Sequence, residues 1–372
     1  MKFSIKNYSK YKEEKIHNRL IDYKLLCKLL VNRNYLIIGQ SVEGRNIHMF
    51  EFGKGEKKVM LWTQMHGNEA TGTNAIFDLI NLLEDQENPY AKKILERLTL
   101  QIIPMVNPDG TELIQRRNAM HIDINRDFIK KQAPETQVLQ KAIDNFNPLV
   151  CFNLHDQRTI FNVEGTSNPA TISFLAPSED KERTVTNKRK QTMGIISAMN
   201  KELQEYAYDH VGRYTDEFYP NAFGDNLQKK GYCTVLIEAG GSKNDLERQH
   251  TRYLNWISLI AGLDFISKTD DLSEGYEEYN QIPQNDQKML DVVYRNVKIK
   301  KDTTESIVDL GIMLNEKLNN QQRELVKNPR IEQIGDLDAY FGYEEIDAEG
   351  KMFSVQERHY PILNESADFE LI

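Results

Sequence analysis

Apolar positions along this chain recur with two different spacings, and the alternation between them sketches the fold. Residues 9–31 interleave Lys and Glu with Leu20, Ile21, Leu25, Leu26, Leu29 and Leu30 at helical spacing, which predicts an amphipathic N-terminal helix. Strand-like Ile47 to Phe52 leads through Gly53-Lys54-Gly55-Glu56 into Lys58 to Thr63, and the glycine-marked turn suggests a hairpin. Ala75, Ile76, Leu79, Ile80, Leu82 and Leu83 then share one broad helix face that ends at the polar 84–89 segment. The β-rich run Leu98 to Val106 stops at Asn107-Pro108-Asp109-Gly110, a strong turn signal. Pro148 to Leu154 is a short buried strand ending at His155-Asp156, and a long polar loop, Gln157 to Pro169, follows it. Residues 184–208 read as helix, Thr234-Val235-Leu236-Ile237 as a buried strand ending at Glu238, and Asp245 to about Leu263 as a closing helix.

Strand and helix therefore alternate, as in α/β folds, and three apolar runs end close to His66, His155 and Glu238. A parallel or mixed sheet brings such ends to one edge, where ligand sites of open α/β sheets lie. Beyond about Asp270 the composition changes to short runs such as Val292-Val293-Tyr294, punctuated by turn-like Asn319-Asn320, Gly335-Asp336 and Glu349-Gly350. This predicts two domains, 1–270 and a small β-rich domain over 271–372, a division the 372-residue length accommodates.

Composition narrows the function classes. A formal net charge of −9 argues against a general nucleic-acid binder. Neither the N-terminus, Met1 to Tyr8, nor any later stretch has a membrane-spanning or signal-like apolar core. The three cysteines, Cys27, Cys151 and Cys233, are too sparse for a disulfide frame. A cytoplasmic location without membrane or nucleic-acid partners is the expectation; oligomeric state is left open.

The candidate chemistry starts at Met65-His66-Gly67-Asn68-Glu69-Ala70, where a histidine and a carboxylate lie three residues apart at a strand-to-helix transition. A catalytic zinc takes three protein ligands and keeps one open position, and two His with one Glu is an attested set. His66, Glu69 and His155 supply it, and Glu238 is placed to take and return the proton of a zinc-activated water. Arg116-Arg117-Asn118 and Asn125-Arg126 add guanidinium forks suited to a carboxylate. Singly, each has a plainer reading. His155 can be a hydrogen-bonded strand-end histidine, Glu238 a helix-capping carboxylate, and Arg116 with Arg117 a solvated pair. His121 and Asp156 can sit behind the ligands or at the surface.

Together these residues resemble the M14 zinc metallocarboxypeptidases, the carboxypeptidase A superfamily. Seven blocks carry the resemblance in order: Ser41-x-Glu43-Gly44-Arg45, His66-Gly-Asn-Glu69, Asn107-Pro108-Asp109-Gly110, Arg116-Arg117-Asn118-Ala119, Asp123-Ile124-Asn125-Arg126-Asp127-Phe128, Asn153-Leu154-His155 and Ile237-Glu238. The resemblance implies a mixed eight-stranded sheet between helices. It implies one zinc per chain on His66, Glu69 and His155, with Glu238 as general base and then acid. Arg116 would stabilise the oxyanion, and Asn125 with Arg126 would bind the terminal carboxylate of a peptide or peptide-like substrate. The family's mobile tyrosine has competing positions in Tyr214, Tyr219 and the Phe223-Gly224-Asp225 segment, of which Tyr219 is taken. Two alternatives stand beside a carboxypeptidase: a zinc amidohydrolase acting on an N-acyl amino acid, of the desuccinylase and aspartoacylase type, and a catalytically silent zinc-binding module.

Overall fold

Buried apolar runs in the first two thirds of the chain assemble into one sheet. The structure is a computed structural model, described here for residues 8–319 and 324–372. Its chain forms two compact units, residues 1–157 with 170–285, and residues 158–169 with 286–372. In the first unit, strands β1 (Leu36–Gln40), β2 (Asn46–Phe52), β3 (Lys57–Trp62), β4 (Leu98–Ile103), β5 (Val150–Asp156), β6 (Ile172–Leu175), β7 (Val211–Arg213) and β8 (Cys233–Ala239) form an eight-stranded sheet. Their order is β1-β2-β4-β3-β5-β8-β6-β7. The central β4, β3, β5 and β8 run parallel, while β2 and β6 join their neighbours antiparallel. This is the mixed sheet expected.

Both faces of the central strands are covered, which is why they read as continuous apolar runs rather than alternating ones. Val59, Leu61, Val150, Phe152 and Leu154 face a core shared with helices α2 (Thr71–Glu84), α6 (Asn187–Leu203) and α8 (Gln249–Lys268). Met60, Trp62 and Cys151 face the opposite core, with Leu139, Ile143 and Phe146 of α5 (Pro134–Phe146) and Phe223 and Leu227 of α7 (Phe223–Lys229). Further helices are α1 (Tyr23–Leu29), α3 (Pro89–Arg97) and the short α4 (Pro108–Glu112).

Three local expectations are corrected. Only Tyr23–Leu29 of the 9–31 segment forms an extended helix, begun by Asp22, whose carboxylate accepts from Leu25 N. The residues before it make local turns, closed for instance by Tyr11 N and Lys12 N donating to Tyr8 O, and bond also to the core. The wholly buried Arg252 donates to Ile16 O (3.0 Å) and Glu13 O (3.2 Å), and its partner Asp78 accepts from Glu13 N (2.7 Å) and Tyr8 OH (2.8 Å). Tertiary hydrogen bonds thus override helical periodicity. The Gly53–Glu56 turn does not close a hairpin either, because β4 lies between β2 and β3. The turn packs on the α3–β4 junction, where a Cβ on Gly55 would stand 1.9 Å from the Arg97 carbonyl carbon.

The third correction concerns the boundary near 270. Residues 271–285 belong to the first unit despite their polar composition. Tyr279 and Ile282 are buried in its core, and the Tyr279 hydroxyl accepts from Ala176 N (3.1 Å). Conversely, loop residues 158–169 lie with the second unit. That unit is β-rich as expected. Its sheet has the order Glu324–Gly335, Thr304–Asn319, Met289–Lys301, Phe341–Asp347, with an inner core that includes Val297, Leu310, Ile312, Ile331 and Phe353. The Asn319-Asn320 turn reading runs beyond the described residues, as does most of the Met1 to Tyr8 segment.

Candidate metal centre

Because β3, β5 and β8 are parallel, their carboxyl ends share one sheet edge. His155 and Glu238 are directly paired across β5 and β8. His66 follows β3 in a tight turn closed by Glu69 N donating to His66 O (3.1 Å). Gly67 is required there, since a Cβ would come within 2.0 Å of the Gly110 backbone. The sequence-chosen ligands do converge. Ligand atoms of His66, Glu69 and His155 all lie within 4.8 Å of one another, and all three residues are buried.

Contacts within the trio orient the rings. His66 Nε2 stands 3.2 Å from Asp123 Oδ1, a carboxylate behind the ring that can receive its N–H. His66 Nδ1 faces the centre, 2.8 Å from Glu69 Oε1 and 3.2 Å from His155 Nδ1. His155 Nδ1 lies 2.8 Å from Glu69 Oε2, itself held by Asp156 N at 3.2 Å. Burial works against the Glu69 charge, but His66 and His155 outweigh it and hold the carboxyl below its usual range. Two imidazole nitrogens and a carboxylate directed at one buried point form a donor set suited to zinc.

The loop carrying the arginines is scaffolded by motif residues that touch no ligand atom. Asn107 caps α4 through Gly110 N (2.9 Å) and donates to Met65 O (3.1 Å), tying this loop to the His66 turn. Asp109 accepts from Ser41 Oγ (2.7 Å) and Arg45 Nη1 (2.6 Å). Asn118, fully buried, accepts from Met120 N and Ile122 N and donates to Glu135 (3.0 Å). So held, Arg116 places Nη1 3.2 Å from His66 Nδ1 and 3.4 Å from Glu69 Oε1, while Asp123 Oδ2 accepts from its Nε at 2.9 Å. Arg117 turns away to His121 O (2.9 Å), and His121 is exposed, so neither joins the centre.

Glu238 lies where burial, then the charges of Glu69 and Asp156, push its carboxyl well above the ordinary range against the pull of Arg116 and Arg248. Asn125 is buried, with its side-chain Oδ1 accepting from Phe223 N (3.2 Å). Arg126 is exposed, its guanidinium 5.4 Å from the Tyr219 ring centroid. Tyr219 itself is 45% exposed and its hydroxyl donates to Glu217 (3.3 Å). Tyr214 directly follows β7, and burial, then the charges of Glu238 and Glu69, raise its phenol above the usual value. Asp123 was also passed over, although its place two residues before Asn125 and the need of a ligating histidine for a carboxylate behind it are both legible.

Asp225, beside Tyr219 and near Arg126, carries a testable consequence. Burial pushes its carboxyl up to about 6, against the hydrogen bond from Tyr219 N and the charge of Arg126. A folded-state value above the unfolded ~4 contributes stability that is complete below pH ~4 and lost as pH rises through about 6. Asp225→Asn keeps an acceptor for Tyr219 N without the charge. Denaturant unfolding should show it gaining about 1 to 3 kcal/mol on wild type between pH 4 and pH 7; a pH-independent difference would refute the assignment.

Known proteins are similar to this chain in sequence and fold. A sequence model of the zinc carboxypeptidase family matches residues 32–317. Carboxypeptidase SOL1 of Arabidopsis thaliana is 25% identical over 188 residues, 45% of this chain and 38% of that protein. The catalytic chain of human carboxypeptidase N is 27% identical over 173 residues, 34% of this chain and again 38% of the relative, so the similarity spans well under half the length of either. A metallo-carboxypeptidase from Burkholderia cenocepacia superposes with a TM-score of 0.50 at 18% identity, covering 66% of this chain and 69% of that one, a likeness of fold. With the matched segment spanning most of the sequence and enclosing His66, Glu69, His155 and Glu238, the chain belongs to the zinc carboxypeptidase family.

Proposed function

We propose that the protein is a zinc metallocarboxypeptidase that hydrolyses the C-terminal amide bond of a peptide or peptide-like substrate. The observation that carries the reading is the convergence of His66, Glu69 and His155 at the sheet edge, with Glu238 paired to His155 and Arg116 reaching over the trio. His66 Nδ1, His155 Nδ1 and the Glu69 carboxylate would hold zinc, which when bound supplies a Lewis acid and lowers the pKa of water.

The protein's own groups divide the remaining work. A Glu238 carboxylate oxygen accepts a proton from water as the water oxygen adds to the scissile carbonyl carbon. It returns that proton to the amide nitrogen as the C–N bond breaks. The Arg116 guanidinium, fixed at Nε by Asp123, donates toward the carbonyl oxygen as its negative charge develops. Arg126, with Asn125 beside it, anchors the free α-carboxylate and so restricts cleavage to the chain end.

Paired substrates test this reading. A peptide with a free C-terminus should be cleaved and its C-terminally amidated counterpart should resist. Arg126→Gln should raise KM for the free peptide ~10-fold or more with a smaller effect on kcat, as for loss of a charge-assisted pair. Equal cleavage of both peptides would overturn the proposal, and turnover confined to N-acyl amino acids would favour the amidohydrolase alternative.

A further inference from the structure

At the ends of the strands that carry His155 and Glu238, a second arginine, outside the family blocks, makes its contacts. Arg248 sits one residue before α8, only 7% exposed, in the left-handed backbone region at φ 51°. A non-glycine residue there is strained, and such strain persists where surrounding contacts dictate it. The contacts are specific. Arg248 Nη1 donates to Ala239 O (2.8 Å) and Nη2 to Gln157 O (3.0 Å), and Nη1 lies 3.4 Å from Asp156 Oδ2. Ala239 directly follows Glu238, and Asp156 directly follows His155. One planar guanidinium therefore bridges the two strands at the step where each delivers its site residue, next to the Gln157 N to Ala239 O bond that ends their pairing (2.9 Å).

The carboxylate partner extends the bridge to the third segment. Asp156 Oδ2 accepts from Thr71 Oγ1 (2.7 Å) and Thr71 N (3.2 Å), at the start of α2 and two residues after Glu69. The Asp156 amide N–H meanwhile holds Glu69 Oε2. The pair thus touches the segments of Glu69, His155 and Glu238 without contributing an atom to the trio.

We infer that Arg248 and Asp156 are positioning residues, which set the spacing of Glu69, His155 and Glu238 by clamping the ends of β5, β8 and the start of α2. A guanidinium is needed because its two terminal nitrogens reach two carbonyls at fixed separation, which an ammonium cannot reproduce. The inference builds on the proposed zinc reading for its ligand, yet its test separates the two.

Arg248→Lys retains charge and length and is the variant most apt to fold; Arg248→Gln and Asp156→Asn accompany it. Zinc affinity is measured by chelator competition on each full-length protein, together with kcat, KM and the melting temperature of the metal-free form. Arg248→Lys should weaken zinc binding ~10-fold or more and lower kcat by ~10- to 100-fold at nearly constant KM. The Arg248→Gln, Asp156→Asn double variant should lose little more than the worse single one, since both cut the same clamp. Wild-type zinc affinity and kcat in Arg248→Lys, with only a lowered melting temperature, would overturn the inference and leave a purely structural arginine. A wild-type protein that binds zinc but cleaves no peptide would defeat the proposed function instead, and the affinity comparison would still judge the clamp.

Discussion

Glu238→Gln should give a folded protein that binds zinc as wild type does and turns over peptide ~10²- to 10⁴-fold more slowly, the range expected for removing a general base and acid. The substitution conserves shape at a β8 position paired with His155, so the sheet edge has no reason to move. Glu238 makes no hydrogen bond to the His66, Glu69 and His155 trio, whose internal contacts remain intact. The change also removes a charge that burial, Glu69 and Asp156 disfavour, so the melting temperature of the variant should not fall below that of wild type. Loss of turnover thus has to come from lost proton transfer rather than from unfolding. On the proposed mechanism the effect belongs in kcat, with KM changed little, because the carboxylate would act on the reacting atoms and not on the substrate's α-carboxylate. Undiminished kcat in a zinc-replete variant would remove Glu238 from the mechanism.

How much of this site the sequence discloses follows from how local each signal is. His155 and Glu238 were legible as candidates because apolar runs buried on both faces lead into them and parallel strands place them side by side, and His66 with Glu69 because the pair stands in the turn between β3 and α2. Motif residues such as Asn107, Asp109 and Asn118 were legible as a pattern, but their task of bracing the arginine loop emerges only from contacts between segments far apart in the chain. Arg248 left no signal. It lies in a polar capping segment, and its importance comes from carbonyls and a carboxylate on two other strands. The fold behaved likewise. Val59 to Trp62 announced a strand, whereas the entry of β4 between β2 and β3 is a non-local choice that a local turn signal at Gly53–Glu56 misread. The N-terminal segment failed for the complementary reason, because Asp78 and Arg252 capture backbone groups that a helix would have paired internally.

Charge balance leads to the second large effect. Glu69, Asp123, Asp156 and Glu238 lie about the centre, and Arg116 and Arg248 face them with fixed positive charge. Burial, then Glu69 and Asp156, push Glu238 upward, and His66 is raised, against burial, by Glu69 and Asp123, whereas burial lowers His155. A dication answers the same imbalance, so binding it should stabilise the folded state. At free zinc of about 100 times Kd the gain is ~2.7 kcal/mol, read as a rise in melting temperature that a chelator reverses. Glu69→Gln tests whether that gain runs through the trio. The amide can still accept from Asp156 N but offers neither the charge nor the second oxygen that meets His155 and His66 together. Zinc affinity should fall by at least ~10²-fold, more than for a residue acting behind the ligands, and turnover should fall with it. Zinc at the concentration that saturates wild type should then leave the melting temperature of the variant unmoved. A zinc-dependent rise equal to that of wild type would place the metal elsewhere and dissolve the assignment of Glu69, whereas loss of the rise in Glu69→Gln but not in Glu238→Gln separates the residue that holds the metal from the one that moves the proton.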